Sequence, residues 1–220
     1  MNILVINPIG DNCWDESDRR FFQSIASPST KMDVVSLDSG PLSVETIRDY
    51  ETVKPLVIDL ALKMYREYDG LIVNCFLDPG VHELKNLINK PVVGPGESSL
   101  AFGSIFGGRL GIVSIESEAL KLIEEKCSIL GYIERVVSIR GIKTHVVDLT
   151  RNWDRVKMEL VEESMKAVGD GAEVIILGCT GLAGLSKGVA EAVRKPVIDP
   201  AAAALKMIES ILSLGLRREG

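Results

Sequence analysis

The sequence predicts an α/β fold made of two pseudosymmetric, doubly wound lobes, each with a parallel four-stranded sheet, and a cleft between them. Apolar strand patterns alternate with helical patterns over all 220 residues, which is typical of parallel sheets covered by helices. A continuous apolar run leads into a cysteine and a glycine-bearing turn twice, at 69–80 and at 173–184. The two cysteines, Cys75 and Cys179, lie about 104 positions apart. Two lobes of about 100 residues each, a common domain size, explain this offset.

The first lobe is predicted to cover residues 1–98, together with a C-terminal helix at about 207–220. Its strands are expected at 2–7, at 32–37, in the run before Cys75 and at 90–94. Its helices are expected at 15–25, at 44–68, after Gly80 and from 95 to about 106. The helical stretch 44–68 contains Pro55, so an interruption there is left open.

The second lobe is predicted to cover residues 99–206. Its strands are expected at 110–115, at 135–139, before Cys179 and at 195–200, and its helices at 118–130 and 152–168. A last helix is expected from 201 to about 214, and its packing against the first lobe is left open. Open parallel sheets bind ligands beyond the carboxyl ends of their strands, so a cleft between the lobes would bring the two cysteines face to face.

The amino-acid composition and net charge exclude several classes of binding partner. With 46% hydrophobic residues the chain is typical of a globular protein, and no apolar run approaches the ~20 residues of a membrane span. The net charge of −6, with scattered Lys and Arg, offers no basic patch for nucleic acid or lipid. The opening residues lack the features of a signal peptide. We therefore expect a cytoplasmic protein that binds a small molecule, with no nucleic-acid or membrane partner and with its four cysteines as thiols.

The cysteine turns suggest acid–base chemistry. A cysteine placed just before a helix N-terminus is favoured as the reactive thiolate. The loop amides of Phe76, Leu77, Thr180 and Gly181 are then candidates to bind a carboxylate or a developing enolate oxygen. A thiolate on one face of a carbon and a thiol on the other would invert that carbon without a cofactor. The alternative is that each cysteine is simply a small buried hydrophobe, as Cys127 is expected to be.

Several other residues are candidate substrate contacts, each with a structural alternative. Asn7 and Ser114 end the first strand of each lobe, where strand-end capping is the alternative. Pro8 and Ile9 begin the first candidate ligand loop, which also contains Cys13. The remaining candidates, for which a turn or a helix cap is the alternative, are Asp78, Pro79, Gly80 and Glu97. No cysteine or histidine pair has the spacing of a zinc site and no glycine loop fits a nucleotide motif, so neither metal nor cofactor is expected.

Five segments together resemble the aspartate/glutamate racemase superfamily, and most of all its hydantoin racemase branch. They are Asn7-Pro8, the segment 75–80 (CFLDPG), the segment 91–97 (PVVGPGE), the segment 178–183 (GCTGLA) and the segment 196–199 (PVID). The resemblance runs along nearly the whole chain. It implies two pseudosymmetric α/β lobes, cofactor-independent two-base proton transfer by Cys75 and Cys179, and a homo-oligomer.

The sequence departs from this branch in the first loop, where Ile9-Gly10-Asp11-Asn12 replaces an Asn-Thr-Ser-like segment. Gly181 follows Thr180, where amino-acid racemases of the superfamily often carry a histidine, so the hydantoin branch is favoured. The leading hypothesis is a racemase that acts on a hydantoin or a close analogue. The alternatives are an aspartate/glutamate-type racemase, a maleate isomerase-like enzyme, a two-lobed binding protein without catalysis and a dithiol redox protein. A single-cysteine decarboxylase is disfavoured by the second thiol.

Overall fold

A computed structural model describes residues 1–216 as two four-stranded parallel sheets flanked by helices. In the first half of the chain the elements are β1 (Asn2–Asn7), α1 (Asp15–Ile25), β2 (Lys31–Ser36), α2 (Ile47–Met64), β3 (Gly70–Val73), α3 (Val81–Leu87), β4 (Val92–Val93) and α4 (Pro95–Phe106). In the second half they are β5 (Leu110–Ile115), α5 (Ala119–Ile129), β6 (Val136–Ile142), α6 (Trp153–Gly169), β7 (Val174–Leu177), α7 (Ser186–Val193), β8 (Val197–Ile198) and α8 (Pro200–Ser213).

The two sheets have the same strand order, β2-β1-β3-β4 and β6-β5-β7-β8, and every strand pair is parallel. The central strands are buried on both faces, which explains their continuous apolar sequence. The predicted α/β class with paired four-stranded parallel sheets is confirmed. Within residues 1–216, no helix is both long enough and apolar enough to cross a membrane.

Helix α2 runs through Pro55 without interruption. Thr46 and Asp49 form a reciprocal capping box at its start, and Val53, Val57 and Ala61 are buried on one face. Because the helix is anchored at its cap and along this apolar face, the single backbone hydrogen bond that proline removes does not end it. The interruption that the sequence left open is therefore absent.

The two lobes exchange helices. Helix α4 follows the last strand of the first sheet, but its Leu100 packs with Leu110, Ile112 and Ile176 of the second sheet. Helix α8 follows the last strand of the second sheet and packs against the first sheet. The cluster that it completes contains Ile3, Val5, Ile72, Val93, Ala201, Ala204, Leu205 and Ile208. The last helix therefore does cross back onto the first lobe.

The boundaries of the exchanged helices differ from the predicted domain limits. Helix α8 begins at Pro200, one residue before the predicted start at 201, because Pro200 is favoured at a first helical turn and Asp199 caps it, so the predicted limit at 206/207 falls inside this helix. It ends at Ser213, and residues 217–220 of the predicted helix lie outside the described residues. The limit at 98/99 falls inside α4. The division of the chain into two domains stays a prediction.

Candidate active site

A cavity lies between the lobes, where the carboxyl ends of β1, β3, β5 and β7 meet. Its empty volume is about 700 Å³, part of which is open to solvent. Such a volume suits a small organic molecule. The lining residues are Asn7, Pro8, Ile9, Trp14, Asp18, Leu42, Ser43, Val44, Glu45, Asn74, Cys75, Phe76, Leu77, Ser114, Ile115, Ser117, Ala119, Val146, Gly178, Cys179, Thr180 and Gly181.

Cys75 lies in the loop after β3, which the chain leaves through a tight turn. The strand ends at Val73, and the Cys75 N–H donates to the Val73 carbonyl at 2.8 Å. Phe76 and Leu77 then insert into the hydrophobic core of the second lobe. Gly80 closes the turn with a φ of 78°, a conformation that glycine adopts without strain. The loop is therefore held by the lobe opposite to the one that supplies it.

Asp78 anchors this loop to the N-terminus of α4. Its two carboxylate oxygens accept the backbone N–H groups of Gly96 and Glu97, each at 2.9 Å. Lys126 of α5 donates to the same carboxylate at 2.9 Å, and both side chains of the ion pair are buried. Burial alone would lower the pKa of Lys126, but the Asp78 carboxylate raises it, so the ammonium stays charged. This ion pair links the lobes directly behind Cys75.

Cys179 occupies the corresponding position after β7. It begins a 3₁₀ turn, Thr180–Leu182, and Gly184 closes the loop with a φ of 87°. The Gly184 N–H donates at 2.7 Å to Asp199, the cap of α8, so a carboxylate joins each cysteine loop to an exchanged helix. The Thr180 hydroxyl donates to the Asn74 carbonyl at 3.1 Å and connects the two cysteine loops.

Both thiols are half-buried and protonated at neutral pH. Burial raises the pKa of Cys75 to about 12, although the Leu77 amide and the Lys126 charge oppose the shift. Burial also raises the pKa of Cys179 to about 12, against the amides of Gly181 and Leu182. Charged groups lie near both sulfurs, the Asp78–Lys126 pair at Cys75 and the carboxylates of Glu45 and Asp18 at Cys179.

A hydrogen-bonded chain of polar side chains reaches the cavity, which its members Asn7, Asn74 and Asp18 line. Ser36 and Asn7 both donate to Asp15, Asn74 donates to the Asn7 carbonyl oxygen at 2.8 Å, and Asn74 also donates to Asp18 at 3.2 Å. Burial raises the pKa of Asp18 to about 6, and hydrogen bonding to Asn7 and Asn74 offsets only part of this shift.

The segment 42–45 covers the cavity and is attached to the second lobe through Glu45. One oxygen of this carboxylate accepts from the Ser43 hydroxyl at 2.9 Å and from the Val146 N–H at 3.2 Å. The other oxygen lies 2.9 Å from Nδ1 of His145, whose pKa the Glu45 carboxylate raises. The Glu45 carbonyl accepts the Ala119 N–H at 3.1 Å.

The structure brings most of the predicted contacts together and leaves four outside. The cavity contains both cysteines, and with them Asn7, Pro8, Ile9, Phe76, Leu77, Ser114, Thr180 and Gly181. Asp78, Pro79, Gly80 and Glu97 do not line it. Asp78 and Gly80 hold the loop in shape, and Glu97 caps α4 and pairs with Lys85. Cys127 is core, and Cys13 is exposed outside the cavity.

Sequence reasoning missed the two carboxylates that line the cavity, Asp18 and Glu45, and the amide of Asn74. Asn74 directly precedes Cys75, and a buried polar residue at a strand end was a usable signal. Asp18 lies on α1 and Glu45 in a long loop, where a single acidic residue has no local signature. Among residues 1–216, no three His, Cys, Asp or Glu side chains converge in a way that could hold a metal ion.

Comparison with known proteins gives consistent relatives. A family model described as Asp/Glu/hydantoin racemase matches residues 3–208. A hydantoin racemase from Pseudomonas sp. (strain NS671) is 32% identical over 98% of this chain and 87% of its own length. The solved structure of an allantoin racemase from Pseudomonas fluorescens superposes with a TM-score of 0.95 at 28% identity, covering 100% of this chain and 94% of that one. An allantoin racemase from Klebsiella pneumoniae gives 0.93 at 27% identity, covering 100% and 90%.

Proposed function

The chain belongs to the Asp/Glu/hydantoin racemase family and is an isomerase of the racemase type, and from this premise we propose that it inverts the stereocentre of a neutral cyclic ureide such as a 5-substituted hydantoin. Proton transfer between Cys75 and Cys179 performs the inversion. The observation that carries the proposal is that both thiols line one cavity, each on a loop with backbone amides next to it.

The proposed reaction needs no external reagent. One sulfur first loses its proton to solvent and, as thiolate, takes the proton from the carbon beside the carbonyl, and the electron pair of the broken C–H bond moves into an enolate. The opposite thiol then donates its proton to the other face of that carbon and becomes the thiolate. The reverse reaction uses the sulfurs in exchanged roles, so both enantiomers are substrates.

Backbone amides support the enolate. Within residues 1–216, the N–H groups of Phe76 and Thr180 donate to no protein oxygen, so they are available to a substrate carbonyl. Amide donors aimed at a developing oxyanion in a partly desolvated site lower the barrier more than they would in water. They serve a neutral carbonyl as well as a carboxylate.

The charges around the cavity favour a neutral substrate over an acidic amino acid. Among the described lining residues there are two carboxylates, Asp18 and Glu45, and no Lys, Arg or His. Aspartate or glutamate would bring two carboxylates into a negatively charged cavity without a cationic partner, which is unfavourable. The aspartate/glutamate-type and maleate-type alternatives are disfavoured on this ground.

The apolar part of the lining supports an apolar substituent on the ring. Trp14, Leu42, Val44 and Val146 are among the apolar residues that line the cavity. Burying an apolar group against these side chains contributes roughly 25 cal/mol per Å². We therefore propose an aliphatic or aromatic substituent rather than a charged one.

Hydrogen exchange tests the proposal. Each enantiomer of 5-benzylhydantoin is incubated with the protein in deuterated water, and optical rotation and deuterium at C5 are followed against an enzyme-free control. We expect both enantiomers to racemise with deuterium incorporation, and aspartate and glutamate to remain unchanged. Racemisation of glutamate, with hydantoins left intact, would reject the neutral-substrate assignment.

Matched cysteine variants test the two-base mechanism. Cys75→Ser and Cys179→Ser should each lower kcat for racemisation by at least about 100-fold, the range of acid–base catalysis. Cys13→Ser, at an exposed position outside the cavity, serves as the control and should keep the activity of the parent protein. Full racemisation by either cavity variant is incompatible with the two-base mechanism.

A further inference from the structure

Asp18 is a carboxyl group in the cavity wall that lacks a cationic partner. No Lys, Arg or His within residues 1–216 forms an ion pair with it, although Arg19 and Arg20 are its chain neighbours; both pair with Glu16 instead. Its polar contacts are the amides of Asn7 and Asn74. A carboxylate has about four lone-pair sites. At least two acceptor sites on Asp18 therefore remain unused.

The hydrogen-bonded chain of polar side chains fixes the orientation of the Asn74 amide. Its NH₂ group donates to the Asn7 carbonyl oxygen and to Asp18. The reverse orientation would turn the Asn74 oxygen toward these two acceptors, so it is excluded. Asn7 is oriented in turn by donating to Asp15. Asn74 Oδ1 is consequently left as a buried acceptor for which the described residues provide no donor.

Glu45, the other carboxylate of the cavity, makes three polar side-chain contacts within the protein and so uses most of its acceptor sites. Its oxygens accept from Ser43 and Val146 and contact His145. These contacts fasten the covering segment. Most of the unused acceptor capacity of the cavity thus lies on Asp18 and Asn74.

We propose that Asp18 and Asn74 form an acceptor subsite that binds an N–H group of the substrate. The inference rests on the proposed function and deepens it, because it names the feature of the ureide ring that the protein recognises. The subsite holds the ring by hydrogen bonding alone: no proton is transferred and no bond is broken there. It orients the stereocentre between the two sulfurs and discriminates against rings in which this nitrogen carries an alkyl group.

The consequence for selectivity is measurable. A substrate without the N–H leaves Asp18 and Asn74 unpaired and places a methyl group against a carboxylate, which a site built for a hydrogen bond rejects. We expect kcat/KM to fall by about 10- to 100-fold for the analogue methylated at the recognised nitrogen, the loss typical of a hydrogen bond to a charged group.

Asp18→Asn tests the subsite with the shape of the side chain preserved. Its oxygen can still accept from Asn74, so its NH₂ group faces the substrate. The parent 5-benzylhydantoin and its 1-methyl and 3-methyl derivatives are compared as substrates, and their Kd values are measured by calorimetry. In the Asp18→Asn variant, kcat/KM for 5-benzylhydantoin should fall to the value for the methyl derivative that the parent protein disfavours. The ratio of these two kcat/KM values should then approach one.

Glu16→Gln is the control, because Glu16 is an exposed carboxylate on the same helix and pairs only with Arg19 and Arg20. The Glu16→Gln variant should keep the kcat/KM ratio of the parent protein. Thermal unfolding of each variant checks the fold, and Asp18→Ala serves as the second substitution. The inference is overturned if both Asp18 variants keep the discrimination of the parent protein, or if the parent protein does not discriminate. If the protein binds 5-benzylhydantoin more tightly than the methyl derivative but does not racemise it, the proposed reaction is rejected and the proposed subsite is retained.

Discussion

At the scale of single residues, the two thiols share a cavity but differ in their neighbours. The charges of Cys179 and Asp78 raise the pKa of Cys75 and that of Lys126 lowers it, whereas Glu45 and Asp18 raise the pKa of Cys179. Burial dominates at both positions. Each sulfur therefore keeps its proton at neutral pH in the absence of substrate.

Alkylation by iodoacetamide should report the raised pKa values of the two thiols. Because the thiolate is the reacting form and both pKa values are raised to about 12, the rates at Cys75 and Cys179 should increase about tenfold per pH unit between about pH 7 and pH 9. The two cysteines should show the same pH dependence, because burial raises both pKa values to about 12. Peptide mass spectrometry after timed quenching measures both rates. A plateau below about pH 9 would contradict the raised pKa values.

The buried pair Lys126–Asp78 should be sensitive to the loss of one partner. Lys126→Met leaves the Asp78 carboxylate buried without its cation, and we expect it to lower the free energy of unfolding by about 3 kcal/mol. The double variant Lys126→Met/Asp78→Asn should recover part of this loss. Chemical denaturation of the parent, both single variants and the double variant gives the coupling. Additive effects would show that the two groups do not interact.

At the scale of elements, the ends of α4 and α8 are tied down by carboxylates. Asp78 and Asp199 join the cysteine loops to the starts of these helices. Near the end of α8, Glu209 accepts the Ser27 N–H at 2.8 Å and the Thr30 hydroxyl at 2.7 Å, and it pairs with Lys206. It fastens α8 to the loop between α1 and β2.

Glu209 should make the stability depend on pH in the acid range. Burial alone would raise the pKa of Glu209, but the donors Lys206, Thr30 and Ser27 lower it from 4.5 to about 2. A depressed pKa means that the carboxylate stabilises the fold above the unfolded value, and that this contribution is lost as pH falls from about 4.5 to about 2. Glu209→Gln should therefore destabilise the protein at pH 7 and lose most of this effect near pH 2.

Thermal unfolding of Glu209→Gln across this pH range measures the effect. Glu191→Gln, at an exposed position of α7, is the matched control and should unfold like the parent protein at every pH. An equal shift of Tm by Glu209→Gln at pH 7 and near pH 2 would contradict the expectation.

The elements themselves were largely predictable, because strand and helix patterns are local and the repeat doubles the signal. The residues that line the cavity were less predictable. The sequence correctly indicated that two cysteines follow buried strands in register. It could not indicate that the carboxylates of Asp78 and Glu97 would accept backbone N–H groups at a helix N-terminus. A carboxylate beside a glycine turn is equally compatible with a helix cap and with a ligand contact. Asp18 reaches the cavity only through the packing of α1.

At the scale of the whole molecule, the exchange of α4 and α8 joins the two lobes. Helical periodicity in the sequence reveals an apolar face but not which sheet that face will cover, so the exchange of α4 was not predictable. The cysteine loops repeat the pattern, since Phe76 and Leu77 pack into the opposite lobe. Each core is completed by the other half of the chain.

Unfolding should therefore be a single transition. Trp153→Phe leaves Trp14, which packs against the core of the second lobe, and Trp14→Phe leaves Trp153 at the start of α6. The guanidinium midpoints from both tryptophans should coincide. Ile208→Ala, which opens a cavity between α8 and the first sheet, should cost about 2–5 kcal/mol and lower both midpoints together. Because both tryptophans report on the second lobe, tryptophan midpoints left unchanged by Ile208→Ala would reveal lobes that unfold independently.

The helix exchange also limits how this chain can be recombined with its relatives. A chimera joined in the connection between α4 and β5 takes the first sheet from one parent and its covering helix α8 from the other. The contact of Ile208 and Leu205 with Ile3, Val5 and Ile72 then joins two parents, as does the contact of α4 with the second sheet. Chimeras that fold should therefore take α4 and α8 from the same parent as the sheets that these helices cover. The unit that can be exchanged between relatives is a sheet together with a helix encoded in the other half of the gene.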